Sequence, residues 1–460
     1  MRTSFFAAAV ALGAFGLLVA ASTDARANGR FPESNAIFFA PNDHDLVILR
    51  TTFGEIVSHD RGKTWDWLCE RSVGLAGVED PMYAITPDGT LIASTFQGLA
   101  VSHDKACNFA FAGGPLKDLV FIDVASRPST PQNVVAFASS YDGQDEAGAI
   151  FFKSQLFETT DQGKSFAALQ YAFDPTLLGE TVDTTPSDPD RLYVSAVRNP
   201  GTAATAHLLT STDHGKMFTE APIPLIAPER AVFIAAVDPV KADRLYVRTS
   251  SDIDKPSRLL LSDDAGKTFK TIFTGAGPLL GFALSNDGSK VWVGGPADGL
   301  RMANTTDFAF TQKSKVEVHC LKISDDGLWT CSTEKSGFVV GLSKDEGATF
   351  QTKLHFCDIR GPLTCAPGST TNVQCSLGGT SSTASPPWPA QRAVLGCAPD
   401  SNTPDGGSTD GGSDDGSMNV DNAGNMDGGG CSLRAPSPTP FAALIAGVAA
   451  IIALVRRRKR

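Results

Sequence analysis

Histidine and tyrosine are scarce in this chain, with seven and five residues among 460. The histidines are scattered, and no C-x-x-C pair or Cys/His spacing offers a zinc site. The sequence also lacks an H-E-x-x-H helix, a G-x-S-x-G elbow, a P-loop and a dinucleotide fingerprint. Those absences remove the metalloprotease, α/β-hydrolase, nucleotide-hydrolase and nucleotide-dependent oxidoreductase readings that such motifs would support. No metal and no cofactor is expected. Positive charge is in short supply as well: 39 Lys and Arg stand against 50 Asp and Glu, for a net −11. The body of the chain has no long hydrophobic run; such runs occur only near the two ends.

What the chain has in abundance is one octapeptide. Ser58 to Trp65 reads SHDRGKTW, Thr159 to Phe166 reads TTDQGKSF, Ser262 to Phe269 reads SDDAGKTF, and Ser343 to Phe350 reads SKDEGATF. Ser211 to Phe218 (STDHGKMF) loses only the hydroxyl at position seven, and Ser102 to Phe109 (SHDKACNF) loses the glycine. Ala303 to Phe310 stands where a further copy is due and keeps only the closing aromatic. The third positions are Asp60, Asp104, Asp161, Asp213, Asp264, Thr305 and Asp345, at spacings of 44, 57, 52, 51, 41 and 40. A fixed motif at such a period marks a repeat architecture.

The motif describes a tight turn between antiparallel strands. The hydroxyl and the carboxylate accept hydrogen bonds from nearby backbone N–H groups. The glycines (Gly62, Gly163, Gly215, Gly266 and Gly347) supply a positive φ that a Cβ opposes. The closing aromatic plugs the space between strands. Three strand-like runs precede each turn, as in Ala36 to Ala40, Leu46 to Thr51 and Gly54 to Ser58, or Ala231 to Val237, Arg244 to Thr249 and Arg258 to Leu261. A fourth follows, as in Trp65 to Cys69. Seven such four-stranded sheets set radially give an all-β, seven-bladed β-propeller over residues 28–355.

The octapeptides resemble the Asp-box of the sialidase-like (BNR) propellers, over roughly residues 30–355. That superfamily includes sialidases, sortilin-type receptors, xyloglucan-cleaving enzymes and photosystem assembly factors. The resemblance implies that the box lies on the face opposite any active site. Asp60, Asp161, Asp213, Asp264 and Asp345 are therefore read as structural. Sialidases use an Arg in an Arg-Ile-Pro phrase, two more Arg, a Tyr nucleophile assisted by Glu, and an acidic proton donor. Arg30-Phe31-Pro32 is similar to the first phrase, but no Tyr/Glu pair can be assigned by motif. Tyr193 and Tyr246 fall inside second strands of their repeats.

The ends read as export and tethering signals. Arg2, the apolar run Phe5 to Ala21 and Ala25-Arg26-Ala27 form a secretory leader over 1–27, with the mature chain beginning at Asn28. Residues 398–430 are Gly, Asp, Ser and Asn with almost no apolar content, the composition of a flexible linker. Their seven aspartates form no D-x-[DN]-x-[DN]-G calcium loop. Cys431 follows, then the hydrophobic segment 441–455 and five basic residues. As a helix, 15 residues span about 22 Å, short of a hydrocarbon core of about 30 Å. This order of Cys, short hydrophobic helix and terminal Arg cluster resembles the myxobacterial MYXO-CTERM sorting tail, over 431–460. The resemblance implies cleavage near Cys431 by a membrane protease, and anchoring at the cell surface through Cys431. A plain single-span anchor is the alternative.

Charge and cysteines agree with export. The leader contributes +1 and residues 432–460 contribute +6 to the net −11, leaving a body of −18. Such a body disfavours nucleic acid and anionic lipid as partners. Cys431 apart, eight cysteines remain, an even number suited to an oxidising compartment. Cys320 and Cys331 flank Ser324 to Gly327 symmetrically, so a hairpin sets them opposite each other. Cys69 and Cys107 lie in the outer strands of the first two sheets and are candidates to bridge them. Cys357, Cys365, Cys375 and Cys397 form a staple within 356–397, of unreadable pairing. The chain starts at an inner strand and finishes at an outer one, so this segment is expected to seal the ring. The molecule is expected to act as a monomer.

One constellation bears on function. With the box below, second strands end on the upper face, where Arg50, Arg198 and Arg248 sit. Glu79, Asp80 and Glu180 are expected on the same face. Three arginines can bind a carboxylate bidentately, and paired carboxylates cleave glycosides. Equally, the arginines can cap strand ends or pair with neighbouring acids. The motifs specify a scaffold and leave chemistry open. The favoured reading is a non-catalytic surface module that binds a glycan, a peptide or an envelope component through its upper face. An exported glycoside hydrolase, sialidase-like or glucan-cleaving, is the alternative; it requires two carboxyls about 5–5.5 Å or about 6.5–9.5 Å apart at the central pocket. An assembly or receptor module would instead show an exposed apolar patch.

Overall fold

A computed structural model describes residues 31–41, 45–200, 203–251, 255–377, 386–388 and 390–398. The leader, Cys431, the hydrophobic segment 441–455 and all but the first residue of the linker lie outside the described residues.

The middle strands of each repeat carry unbroken apolar runs, such as Val47–Thr51 and Leu91–Thr95. A strand with both faces apolar must be covered on both sides. A ring satisfies that requirement by packing each sheet between two neighbours. The described chain forms seven four-stranded antiparallel sheets, each continuous in sequence. It is a seven-bladed β-propeller. Each blade starts at an inner strand, and the innermost strands are Ser34–Phe39, Tyr83–Ile85, Phe121–Ser126, Leu177–Thr185, Ala231–Val237, Gly281–Leu284 and Cys320–Ser324. Apolar clusters fill the gaps between blades. The one joining the first and seventh blades holds Trp65, Trp67 and Trp329, all essentially inaccessible to solvent.

The box turns define the lower face. In the fifth blade, Asp264 Oδ1 accepts from Thr268 N (2.9 Å) and Ser262 Oγ (2.8 Å), Oδ2 accepts from Thr268 Oγ1 (2.6 Å), and Gly266 N donates to Ser262 Oγ (2.8 Å). Asp60, Asp161 and Asp345 accept the same set of bonds. The turn needs two consecutive left-handed residues, not one: Arg61 and Gly62 have φ of 60° and 71°, as a type I′ turn demands. In the second blade Lys105 and Ala106 take these positions, so an alanine occupies the glycine site. Asp213 lacks the position-seven hydroxyl partner because Met217 stands there, and its Oδ1 still accepts from Ser211 Oγ (2.8 Å) and Met217 N (3.0 Å). In the sixth blade the hydroxyl of Thr305 instead donates to Gly288 O (2.7 Å).

No strand is exchanged to close the ring. Ser34 Oγ of the first blade donates towards Ser332 O and Val339 O of the seventh (3.3 and 3.2 Å), and Phe39 packs on Trp329. The chain beyond Leu354 then crosses the seam. Gly361 O accepts from Trp67 N (2.7 Å), Leu363 N donates to Trp67 O (2.7 Å), and Arg360 pairs with Asp66 through two contacts (2.9 and 2.5 Å). The segment lies along the outer strand Asp66–Leu68 with a parallel bridge at Trp67 and Pro362.

The disulfides correct two expectations. Cys69 and Cys107 do not bridge each other; the pairs are Cys69–Cys375, Cys107–Cys365, Cys320–Cys331 and Cys357–Cys397. Cys107 belongs to the box turn at the bottom of the second blade, whereas Cys69 follows the first blade's outer strand at its upper end. The extension runs between them and meets both. The four late cysteines are therefore not a self-contained staple: only Cys357 and Cys397 pair within the segment. Thr371, in the helix Thr370–Leu377, adds bonds to the box turn through its N to Cys107 O (3.1 Å) and its hydroxyl to Ala106 O (2.6 Å).

Candidate functional site

The upper face is built from the turns joining second and third strands and the loops entering each inner strand. Arg50 closes the first blade's second strand. Its Nε donates to Asn35 Oδ1 (2.7 Å), and its Nη1 donates to the carbonyls of Asp80 and Pro81 (3.0 and 3.1 Å). Asn35 Nδ2 also reaches Asp80 Oδ1 (3.2 Å). Arg248 repeats the arrangement between the fifth and sixth blades, donating Nη1 to Leu279 O and Leu280 O (2.6 and 3.3 Å) and lying over the Phe233 ring at 5.4 Å. Each of these arginines pins the loop entering the next blade. Burial pulls the Arg248 guanidinium down to about 10, and the like charge of Arg50 adds to the effect.

Arg198 does not join them. Its guanidinium is held by Asp174 (2.6 Å) and by both oxygens of Glu220 (2.9 Å each), and Glu220 also contacts His207 (2.7 Å). Two acids of its own blade and entry loop thus claim the charge, the neighbour pairing that the sequence left open for these arginines. Glu79 is likewise engaged: its carboxylate accepts from Ala76 N (3.3 Å) and Phe96 N (2.9 Å), bracing two upper loops.

Glu180 lies on the inner strand Leu177–Thr185, which borders the central channel. It is half-buried, and burial alone pushes its carboxyl up to about 8. Sequence reading missed its companions. Asp123, on the third blade's inner strand, accepts from Val182 N and Val124 N (2.9 Å each), and burial raises it to about 7, with the like charge of Asp183 contributing. Burial also raises Asp183, to about 6, against the opposing pull of Lys322 on the seventh blade's inner strand. The channel thus has an acidic side at the third and fourth blades and an ammonium opposite. The available signal was a carboxylate inside an apolar strand, as in FIDVAS and TVDTT, since such groups are rarely buried without purpose.

A Tyr/Glu pair also emerges that no motif announced. Glu55, from the strand Gly54–Ser58, sits beside Tyr83 of the second blade within electrostatic reach of Arg50 and Asp80. The two are 1% and 5% exposed, and their side chains interact with each other out of solvent. Burial pushes Glu55 up to about 8 and Tyr83 well above the usual phenol range. A sugar ring cannot reach a pair so enclosed.

His214, in the fourth blade's box turn, is engaged by neighbouring acids. Its Nε2 lies 2.7 Å from Glu158, which also pairs with Arg127 within the third blade, and its Nδ1 lies 3.2 Å from Asp190 of its own blade, so the imidazole links the third and fourth blades. Tyr193 and Tyr246 are buried in second strands, and Tyr193 donates to Ala242 O (2.7 Å). Among the described residues no group of three or more His, Cys, Asp or Glu side chains is placed to hold a metal ion. No helix there is long and apolar enough to cross a membrane. The four disulfides are those of an exported protein.

Fold and site together define a disulfide-sealed, seven-bladed propeller with Asp-box turns. No protein-family model matches the sequence, and no curated protein matches it either. Among solved structures it is similar to an ancestral GH74 enzyme, at 14% identity and a TM-score of 0.52, over 71% of this chain and 47% of that one. The chain therefore spans about half the length of that enzyme. Other similar structures are the GH74 xyloglucanase of Xanthomonas campestris (16% identity, TM-score 0.38, 67% of this chain and 59% of that one) and a Hadza microbial sialidase (14%, 0.38, 65% and 73%). At these identities the likeness is one of fold.

Proposed function

We propose that this protein is an exported propeller that binds a glycan, a peptide or an envelope component through its upper face and channel mouth, without catalysing a reaction on it. The observation that carries the reading is the employment of the upper-face charges. Arg50, Arg248 and Glu79 hold loops, Arg198 is paired with Asp174 and Glu220, and Glu55 with Tyr83 is sealed from solvent. Residues that a hydrolase would turn towards substrate are spent on holding the rim rigid. A rigid rim lowers the ordering cost of binding. In this reading residues 398–430 are the tether and 431–460 the sorting tail, cut near Cys431 by a membrane protease. Mass spectrometry of the mature C-terminus tests the cut; a chain ending at Arg460 would refute it.

One observation favours glycoside hydrolysis as a second reading. Glu180, Asp123 and Asp183 are carboxyls raised towards neutrality at one channel, as a general acid requires. A fluorogenic sugar panel offered to the exported chain separates the two. The binding reading expects no turnover; turnover abolished by Glu180→Gln would establish the hydrolase.

A further inference from the structure

At the rim of the upper face, away from the central channel, an open cleft of about 570 Å³ lies where the sixth and seventh blades meet. Lys315 to Glu317, the connection between those blades, forms one wall. Lys335 to Phe338, from an upper turn of the seventh blade, forms the second. The chain from Ala348 to Thr352, entering that blade's outer strand, forms the third. Such a volume suits a ligand of two or three sugar rings.

Its chemistry is uneven in a telling way. Val316 and Phe338 are buried in the floor, and Phe350 lies against Phe338 at 5.4 Å and 41°. Lys315 and Lys335 stand exposed on facing walls with no hydrogen bond or ion pair among the described residues. Nearby cations are otherwise occupied: Lys290 and Lys313 both pair with Glu346, and Lys353 lies over the Trp329 ring. The acids are occupied too. Glu334 holds His355 Nδ1 and Phe356 N (2.8 Å each), and Glu317, the one carboxylate in the lining, accepts from Thr333 Oγ1 (3.0 Å). Gly337, with φ of 89°, has open space where a Cβ would stand, so backbone as well as side chain is accessible there. An apolar aromatic floor bordered by two exposed lysines matches a ring with one hydrophobic face, hydroxyls and a carboxylate.

We propose that this cleft is a binding site for an acidic sugar, specifically a uronic-acid oligosaccharide. The two lysines act as point charges on the carboxylate, and the floor takes the C–H face of a ring. The cleft shares no residue with Arg50, Glu79, Arg198, Arg248 or the channel carboxylates, and it stands whether or not those bind a ligand.

Calorimetric titration of the exported chain with a galacturonic acid trisaccharide, and with its methyl ester, tests it. Saturable binding is expected, weakened at least tenfold by esterification and at least tenfold by Lys315→Gln combined with Lys335→Gln, and unchanged by Glu180→Gln. Both lysines are exposed, so a thermal melt matching the parent chain verifies folding of the double variant. No saturable binding, equal affinity for the ester, or indifference to the lysine changes would overturn the site. Binding lost in Glu180→Gln but kept in the lysine variant would also overturn it, while favouring a ligand at the channel.

Discussion

The two faces of this ring are made by opposite rules. On the lower face one solution is repeated: Asp60, Asp161, Asp264 and Asp345 accept equivalent bonds from their own turns, within four residues of sequence. On the upper face each loop is solved separately, by Arg50 in one place, Arg248 in another, Glu79 and Asp298 elsewhere, with partners tens of residues away. Uniform local turns make a scaffold that tolerates varied loops. The face that differs from blade to blade is the one free to acquire specificity.

The contrast can be broken most forcefully at glycine. Gly266→Ala places a Cβ 2.1 Å from Leu208 Cδ2 at a φ of 85°. Left-handed strain and overpacking together should cost about 2–5 kcal/mol. Gly337→Ala on the upper face has a similar φ of 89° but open space, and should cost only about 1–2 kcal/mol. Chemical denaturation of the pair checks this; equal losses would dissolve the distinction between the faces.

Next comes the box carboxylate. Asp264→Ala should cost about 1.5–3 kcal/mol through its lost charge-assisted bonds, whereas Asp142→Ala, at the exposed upper end of the strand Val134–Gln144, should stay within about 0.5 kcal/mol. The loss has a pH signature. Side-chain and backbone hydrogen bonds, from Ser165, Thr268 and Thr349, hold Asp161, Asp264 and Asp345 down at about 2. Their folded values lie below the unfolded one, so the stability they contribute is present above about pH 4 and is lost as pH falls towards 2. Thermal melts of Asp264→Ala should therefore differ from the parent at pH 6 and converge with it near pH 2.

The channel behaves in reverse. Glu180 titrates at about 8 in the fold, above its unfolded value, so its neutral form is favoured at low pH and folding weakens as pH rises towards 8. Glu180→Gln should raise the melting temperature at pH 9, by no more than about 1–2 kcal/mol of stability, and leave it unchanged at pH 4. A variant less stable at both values would show that the carboxylate is engaged rather than merely desolvated.

The smallest expected effect repairs the fourth box. Met217 is an exposed residue at the position where other boxes place a hydroxyl on Asp Oδ2. Met217→Thr should add that bond and about 0.5–1 kcal/mol of stability, read as a shift in denaturation midpoint with unchanged slope.

How much of this was legible in sequence follows from the range of the interactions. A box is closed by Ser, Asp, Gly and Thr within one octapeptide, so the turns, the blade count and the ring were visible. Cys320 and Cys331 face each other across a hairpin of 11 residues, and that geometry too is local. Arg198 pairs with acids 24 and 22 residues off on adjacent elements, so which acids would claim it was not legible. Glu55 meets Tyr83 only because blades pack face to face, and Cys69 finds Cys375 across 306 residues. Spacing alone cannot encode such encounters; they arise when the ring closes.

The extension that crosses the seam has a mechanical consequence. Ala398 is held by Arg392, and Arg392 by Cys357, within the loop shut by Cys357–Cys397. From there Cys365 is bolted to the second blade through Cys107 and Cys375 to the first through Cys69. A force arriving from beyond residue 398 is thus delivered to the far side of the join, loading both ends of the ring at once. The last blade cannot be peeled away like the end of a tape while those disulfides hold.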